Sequence, residues 1–251
     1  MKRLVSWNVN SIRARLPLVT RLIQELAPDI LMLQELKCTE AQFPHEIFEE
    51  LGYNLVMHGQ KTFNGVAILS KAPFDELPQK NIPSLEDPQA RFIETRIMGY
   101  TFMNVYVPNG QDPSSDKYIY KLEFFDHLYN HLKTYVKKGI PFLLAGDFNV
   151  ALNEEDTATP DDRMICFTPK ERQKLNQLLG LGLIDIQRYK NIHGYTWWDY
   201  RGFGFPKNIG MRLDYIFLSP DFVQGKETFT IETSFRKLEK TSDHAPLVLE
   251  F

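Results

Sequence analysis

Short apolar runs alternate with amphipathic stretches along the whole chain, and this alternation restricts the possible fold more than any other feature. Apolar runs bounded by polar or turn-forming residues indicate buried strands, whereas longer stretches with apolar residues every three or four positions indicate helices. The predicted strands are residues 2–7, 30–34, 53–57, 65–70, 91–97, 100–107, 140–146, 213–218 and 246–251. The predicted helices are residues 17–26, 43–50, 116–138 and 170–180.

The two C-terminal helices have the clearest signals. The longer one repeats apolar residues at helical spacing, namely Leu122, Phe125, Leu128, Leu132, Tyr135 and Val136. The other begins with a capping box formed by Thr168 and Glu171, has Pro169 at its first position, and ends before Gly180. Both patterns predict helices that pack one face on a core.

Strands outnumber helices in this prediction, and several neighbouring strands are close enough along the chain to form hairpins. Such a mixture fits two packed sheets flanked by helices better than a strictly parallel repeat of strand and helix. A chain of 251 residues with an α/β pattern often forms one domain. Since no linker, repeat or low-complexity segment interrupts it, we expect a single domain over residues 1–251.

Charge and cysteine content narrow the class of protein. A net charge of −3 argues against indiscriminate coating of nucleic acid, although a local basic groove is compatible with it. Cys38 and Cys166 have no metal-ligand spacing, so free thiols in a reducing cytoplasm are expected. The strand-like start leaves no room for a signal peptide, and no apolar segment reaches the length of a membrane span. We therefore expect a cytoplasmic protein, associated with the nucleoid if it is prokaryotic.

Polar residues recur at the ends of the apolar runs. This set comprises Asn8, Glu35, Tyr106, Asp147, Asn149, Asp214, Asp243 and His244. Side chains at strand ends can meet at one rim of a sheet, where the strands hold them rigidly. Carboxylates suit Mg²⁺, and a histidine beside a carboxylate is held in one tautomer. Convergence of the set would suit a hydrolase that uses a hard cation.

Each of these residues also has a structural interpretation. An Asp or Asn beside a strand is usually a turn former or a helix cap, and a histidine there can be a satisfied loop residue. Glu35 and Asp147 differ because they follow strongly apolar runs, where a carboxylate is costly unless it has a partner or a function. Spacing alone leaves open whether the set converges.

Six short strings sharpen the interpretation. They are SWNVNSIR at 6–13, LQELKC at 33–38, NVYVPNG at 104–110, GDFN at 146–149, RLDY at 212–215 and SDH at 242–244. Together, and in this order, they resemble the exonuclease III and apurinic/apyrimidinic endonuclease family across essentially the whole chain. The resemblance implies a four-layer α/β sandwich, two packed mixed sheets flanked by helices, with an active site at one edge of both sheets.

The implied activity is hydrolysis of the DNA backbone 5′ to abasic sites, with 3′-phosphodiesterase and 3′→5′ exonuclease side activities. The implied cofactor is Mg²⁺, with Mn²⁺ able to substitute. The implied partner is double-stranded DNA containing abasic sites or blocked 3′ ends, bound by a monomer. No membrane association is expected.

The resemblance also assigns roles on the metal side. Glu35 resembles the metal-ligand carboxylate, and Asp147 resembles the residue that activates the attacking water. Asn8 and Asn149 resemble residues that orient that water and the phosphate, and with Asp147 they count among the metal-site residues. Asp243 resembles a further carboxylate that acts on the metal directly or through water.

Three residues resemble groups that act on the phosphate. Tyr106 resembles a phenol beside the scissile phosphate that contacts it or assists the leaving group. His244 resembles an imidazole that donates to a phosphate oxygen, with Asp214 as the partner that orients it. How the family divides acid and base work among its Asp, Tyr and metal-bound water stays open.

The positions that resemble DNA contacts are Arg13, Lys37, Asn109, Trp197, Met211 and Leu213.

Two departures from the family pattern stand out. Met211 occupies a position where an aromatic residue is common in the abasic-sugar pocket, and a methionine wall is more pliant. Asn10 stands where some members have Asp, which lowers the expectation of a second strong metal site. The alternative is that Trp197, Trp198 and Met211 merely fill core.

Two other functions compete with this one. Inositol-phosphate phosphatases and sphingomyelinase-like phosphodiesterases share the scaffold, but the Tyr106 to Asn109 string and the segment around Trp197 favour DNA repair. A catalytically dead DNA-binding module would be expected to lack at least one of five residues, and none of them is missing: Glu35, Asp147, Asn149, Asp214 and His244.

Overall fold

The computed structural model describes residues 1–251, which form twelve strands and five α-helices. The strands are β1 Arg3–Asn8, β2 Ile30–Gln34, β3 Asn54–His58, β4 Val66–Ser70, β5 Gln79–Lys80, β6 Phe92–Ile97, β7 Tyr100–Tyr106, β8 Phe142–Asp147, β9 Ile184–Asp185, β10 Asp214–Leu218, β11 Thr228–Ile231 and β12 Leu247–Glu250. The helices are α1 Ile12–Leu26, α2 His45–Glu50, α3 Asp116–Lys138, α4 Pro169–Leu179 and α5 Ile186–Tyr189. None of the helices combines the length and hydropathy that a membrane span requires.

The strands form two six-stranded sheets, with orders β11-β12-β1-β2-β4-β3 and β5-β6-β7-β8-β10-β9. Each sheet is mixed, because β1 pairs with β2 and β7 with β8 in parallel, whereas the other neighbours are antiparallel. The first four strands of the chain build one sheet, and the last two strands return to it, so both chain ends lie in the same sheet.

Three apolar clusters define four layers. One lies between the sheets, where residues such as Met32 and Leu143 are fully buried. A second packs α1 and α2 on the first sheet through residues such as Leu22 and Phe48. A third packs α3 and α4 on the second sheet, with Leu128 among its members. Each buried aliphatic or aromatic side chain contributes about 1.5–3 kcal/mol. The predicted α/β sandwich of two packed sheets flanked by helices is confirmed.

The helix termini follow the local sequence. The Ser115 hydroxyl accepts a hydrogen bond from the Tyr118 amide at the start of α3, and Gly139 ends the helix in the left-handed conformation at φ 61°. Thr168 and Glu171 form the predicted capping box of α4. The predicted start of the first helix was wrong, since α1 begins at Ile12 and carries Pro17 in its second turn.

The sequence interpretation missed α5 and three short strands. Strands β5 and β9 have only two residues each, and β11 has four. Such short segments have too few positions to display a period of two, and their pairing with longer strands decides their conformation.

Candidate active site

Strand ends from both sheets meet at one edge of the sandwich. In the second sheet the register pairs Tyr106 with Asp147 and Asp147 with Asp214. Tyr106 and Asp147 are the last residues of β7 and β8, and Asp214 is the first residue of the antiparallel β10, so the three polar side chains lie in one row at this edge. In the first sheet Asn8 ends β1, and Glu35 directly follows β2. The predicted convergence therefore occurs, although these residues come from distant parts of the chain.

The second sheet is tightly built just before Asp147. Gly146 has φ 145°, and a Cβ placed there would lie 1.9 Å from the Val105 carbonyl oxygen. Only glycine fits this close approach of β8 to β7. The glycine of the GDFN string thus has a steric role that places the following carboxylate.

Asp147 is buried and surrounded by donors. Its Oδ2 accepts from Asn8 Nδ2 at 2.9 Å and from Asn149 Nδ2 at 3.2 Å, and its Oδ1 accepts from the Asn149 amide at 2.8 Å. Burial raises the pKa of Asp147 above its ordinary value; His244 opposes the rise, and Asp214 and Glu35 add to it. A carboxyl with a raised pKa and fixed orientation is suited to accepting a proton.

His244 lies between two carboxylates. Its Nδ1 is 2.8 Å from Asp214 Oδ2, and its Nε2 is 3.7 Å from Asp147 Oδ2. Burial opposes a charge on the ring, but Asp214 and then Asp147 raise the pKa of His244 to about 10. A protonated imidazole held through Nδ1 presents an Nε2–H donor to the site.

Two supporting residues were missed from the sequence. Thr196 donates to Asp214 Oδ2 at 2.6 Å and accepts from the amides of Leu213 and Asp214, both at 3.0 Å. Ser242 donates to the Asn8 carbonyl at 2.6 Å and accepts from the His244 amide at 3.2 Å. Both belong to segments that resemble the family, but nothing in the local pattern marks their hydroxyl groups.

Glu35 completes an acidic cluster. Glu35, Asp147 and His244 each offer one atom that could bind a metal ion, and these three atoms all lie within 4.8 Å of one another. Glu35 has φ 52°, a left-handed conformation that is costly outside glycine and is typically retained where function requires it. Its Oε1 accepts from Asn8 Nδ2 at 3.0 Å, and its Oε2 lies 2.8 Å from Lys37 Nζ.

The other residues predicted on the metal side are oriented differently. Asn8 Oδ1 accepts from the Asn10 amide at 3.0 Å, and Asn149 Oδ1 accepts from Asn109 Nδ2 at 3.1 Å. The Asp243 carboxylate accepts hydrogen bonds from Trp197 Nε1 and Asn10 Nδ2, each at 3.0 Å. It lies outside the acidic cluster. Direct metal contacts by Asn8, Asn149 and Asp243 therefore stay predictions.

Tyr106 borders the cluster. Burial raises the pKa of its phenol well above the ordinary value, and the charges of Glu35 and Asp147 raise it further. The Arg91 guanidinium lies 4.8 Å from the centre of its ring. The phenol therefore keeps its proton and serves as a hydrogen-bond donor.

A cavity of about 440 Å³ opens beside these groups. Its polar side includes Glu35, Tyr106, Asp147, Asn149 and His244, and its apolar side includes Met164, Ile165, Trp197, Met211 and Leu213. The pocket interpretation of Trp197, Met211 and Leu213 agrees with this lining, whereas Trp198 is buried elsewhere and donates to Asn208. Met164 and Ile165 were missed because no motif marks their segment.

The predicted DNA-contacting cations occupy different environments. Lys37 Nζ lies beside Glu35 and donates to Asn10 Oδ1 at 2.5 Å, so it belongs to the site itself. Arg13 is exposed in the first turn of α1. Asn109 is exposed and lines the cavity, and its side-chain amide donates to Asn149 Oδ1 at 3.1 Å.

Comparison with known proteins gives consistent matches over the whole chain. The Endonuclease/Exonuclease/phosphatase family matches residues 5–244. Exodeoxyribonuclease III of Haemophilus influenzae is 34% identical over 266 aligned positions, which cover 99% of each chain.

Solved structures extend the likeness to the fold. A 3′ phosphatase, NExo from Neisseria, bound to a product DNA hairpin, superposes with a TM-score of 0.95 at 37% identity, covering 100% of this chain and 99% of that one. An AP endonuclease from Archaeoglobus fulgidus superposes with a TM-score of 0.94 at 35% identity, covering 100% and 99% of the two chains.

Proposed function

The chain belongs to the Endonuclease/Exonuclease/phosphatase family, and we propose that it is a DNA repair nuclease that hydrolyses the backbone 5′ to abasic sites. Its side activities are removal of 3′ blocking groups and 3′→5′ exonuclease action. The similarity to an exodeoxyribonuclease III, a 3′ phosphatase and an AP endonuclease supports hydrolysis of DNA phosphoesters.

One observation carries the abasic preference. The residues of the acidic cluster line the same cavity as the apolar side chains of Trp197, Met211 and Leu213. An apolar wall beside a phosphate-cleaving group accepts a sugar without a base more readily than a complete nucleotide, because shape rejects the larger group. An abasic nucleotide also leaves the base stack at lower cost than a paired one.

The donor set fits a hard divalent cation, which we propose is Mg²⁺, with Mn²⁺ as a substitute. Glu35 and Asp147 would hold it, since Mg²⁺ prefers one or two carboxylates and keeps water and phosphate oxygens as its other ligands. When bound, the cation supplies charge neutralisation of the developing phosphate oxyanion. The His244 ring, charged between two carboxylates, is better suited to phosphate than to metal.

The chain's own groups account for the remaining steps. Asp147 accepts a proton from the attacking water, and the amides of Asn8 and Asn149 hold that carboxylate in one orientation. The Nε2–H of His244 donates to a phosphate oxygen, while Asp214 keeps the ring fixed. The Tyr106 phenol donates to the phosphate or to the leaving oxygen. Arg13, Lys37 and Asn109 steer and position the DNA backbone.

Incubation of the protein with a duplex that carries one abasic site tests this proposal. Incision on the 5′ side is expected with Mg²⁺, with loss of the activity in a chelator and recovery on addition of Mg²⁺ or Mn²⁺. Glu35→Gln should abolish most incision, whereas the same change at Glu25, which is exposed and paired with Arg21 on α1, should leave it unchanged. Incision that is independent of Mg²⁺, or cleavage of inositol phosphates in preference to DNA, would refute the assignment.

We propose further that residues 1–251 act as one catalytic domain, because both sheets contribute residues to one site. We also propose that the protein acts as a monomer, because a single copy supplies every residue of that site. The buried free thiols of Cys38 and Cys166 are compatible with a reducing cytoplasm. Sedimentation of the protein with and without the abasic duplex would give its molar mass and so test whether it is a monomer.

A further inference from the structure

A fully buried ion pair lies next to loops that line the cavity. Lys121 of α3 and Glu171 of α4 contact each other, and both side chains have 0% exposure. Lys121 lies in the apolar face of α3, among residues such as Phe124 and Phe125. Desolvation makes such a pair a poor source of stability, because apolar residues of similar volume often serve as well or better. A role beyond packing is therefore required to explain it.

The ammonium group shows what that role is. Besides Glu171, Lys121 Nζ donates to the Asn149 carbonyl at 2.7 Å and to the Asn109 carbonyl at 3.0 Å. An ammonium has three donors, and here each has an acceptor. An apolar side chain could fill the same volume, but it could not bind two backbone carbonyl groups of the active-site loops.

Glu171 holds a third segment. It is the carboxylate of the α4 capping box, where Oε2 accepts from the Thr168 amide at 2.9 Å and from the Thr168 hydroxyl at 2.8 Å. Its Oε1 also accepts from the Cys166 amide at 3.1 Å. The pair thus joins three loops, those of Asn109, Asn149 and Cys166, all of which line the cavity.

Asn149 links the pair to the reacting groups. It has φ 50°, a left-handed conformation that surrounding contacts must maintain. Its amide and side chain both donate to Asp147, and its Oδ1 accepts from Asn109 Nδ2. A shift of the Asn149 backbone would therefore move two of the donors that orient the Asp147 carboxylate.

We infer that Lys121 and Glu171 are positioning residues, which hold Asn149 and through it Asp147 in the arrangement that hydrolysis requires. The expected effect on the rate of hydrolysis rests on the proposed function. The structural part, that the pair holds Asn149 in place, rests on geometry alone.

The test compares two double variants that remove ion pairs between the same two helices. In Lys121→Met/Glu171→Gln both charges are removed together, so neither is left buried and unpaired, and the side-chain oxygen of the introduced glutamine can still cap α4. The control is Lys174→Met/Asp126→Asn, because Lys174 and Asp126 also join α4 to α3 but lie at the surface, away from the site. Surface pairs of this kind contribute little to stability.

Single-turnover incision of the abasic duplex should be about 10- to 100-fold slower in the buried-pair variant, since small displacements of reacting groups have effects of this size. KM from multiple-turnover assays should change little, because both side chains are fully buried, and the control should match the parent. A parent-like rate in the buried-pair variant would overturn the inference. So would an equal loss of rate in the control.

Amide ¹⁵N–¹H spectra give a readout that is independent of activity. The Asn149 and Asp147 signals should shift in the buried-pair variant and stay in place in the control. If the parent fails to cut abasic DNA, the proposed function fails, while the spectra still decide whether the pair positions Asn149. Unmoved Asn149 signals would refute the positioning role. Should the double variant fail to fold, Glu171→Asp, which keeps both charges but shortens the carboxylate side chain, must shift the same Asn149 and Asp147 signals and lower the rate to a smaller extent.

Discussion

The core between the sheets and the active-site edge both contain deeply buried side chains, but different interactions hold the two regions together. In the middle, residues such as Leu143 and Ile216 are almost fully buried and belong to one apolar cluster. At the edge, Asp147, Asp214 and His244 are buried to nearly the same degree but are linked by directional hydrogen bonds. Burial stabilises the first region, whereas in the second it makes each polar partner necessary.

The transition between these regions is itself polar. Asn104 of β7 donates to the Leu33 and Ala67 carbonyls of the other sheet at 2.9 and 2.8 Å, and it accepts from Gln34 Nε2 at 2.7 Å. These bonds join the two sheets one layer below the site. A buried hydrogen-bond network of this kind specifies one relative placement of the sheets, which apolar contacts alone define less sharply.

The comparison predicts that changes at the edge affect rate more than stability. Asp147→Asn and Glu35→Gln should each lower turnover by about 10²–10³-fold, because each removes one preorganised electrostatic group. DNA binding should remain, and the melting temperature should change little, since each replacement keeps the size of the side chain and removes a charge that is costly to desolvate. The measurements are kcat, Kd for the abasic duplex and thermal unfolding. Turnover close to that of the parent would show that these carboxylates are structural.

Coupling within the edge is the next largest expected effect. If Asp214 acts by fixing the His244 ring, removing both side chains should be scarcely worse than His244→Ala alone. Groups in one hydrogen-bond network typically show interaction energies of about 0.5–3 kcal/mol. A double-mutant cycle on kcat/KM measures this term. Losses that multiply fully would leave Asp214 with a purely structural role.

A change in the middle should show the opposite signature. Ile216→Val removes one methylene group between the sheets and should destabilise the protein by about 0.5–1.5 kcal/mol. At a temperature where the variant is folded, kcat on the abasic duplex should equal that of the parent. Chemical denaturation and incision assays test both statements. A rate loss without a stability loss would mean that the two regions are not separable.

The smallest effect is expected at the pocket wall, on the apolar side of the active-site edge. Met211 is 7% exposed, and its flexible thioether can repack around a larger group. Met211→Trp should raise the ratio of kcat/KM on an abasic duplex to that on a matched 3′-recessed duplex by a few fold, because a rigid wall rejects an attached base. An unchanged or lower ratio would show that Met211 does not control entry to the pocket.

Much of the site was predictable because its residues end apolar runs. Asn8 and Asp147 end strands, and Glu35 directly follows one; the pattern of each strand is visible locally, and the strings around the three residues resemble one family. Thr196 and Ser242 were not predictable in their roles, since a hydroxyl becomes informative only when its distant partner is known. The roles predicted for the individual site residues remain to be tested by the variants described above.

The sequence by itself determined the alternation of strands and helices, the capping of α3 and α4, and the strand-end positions of the catalytic candidates. Periodicity and capping act over a few residues, so they can be recognised without knowledge of the fold. Only the tertiary structure decided the register that aligns Tyr106, Asp147 and Asp214, the walls of the cavity, and the pairing of Lys121 with Glu171. A buried charge is stable only beside partners that lie far away along the chain, and no local pattern specifies which partners those are.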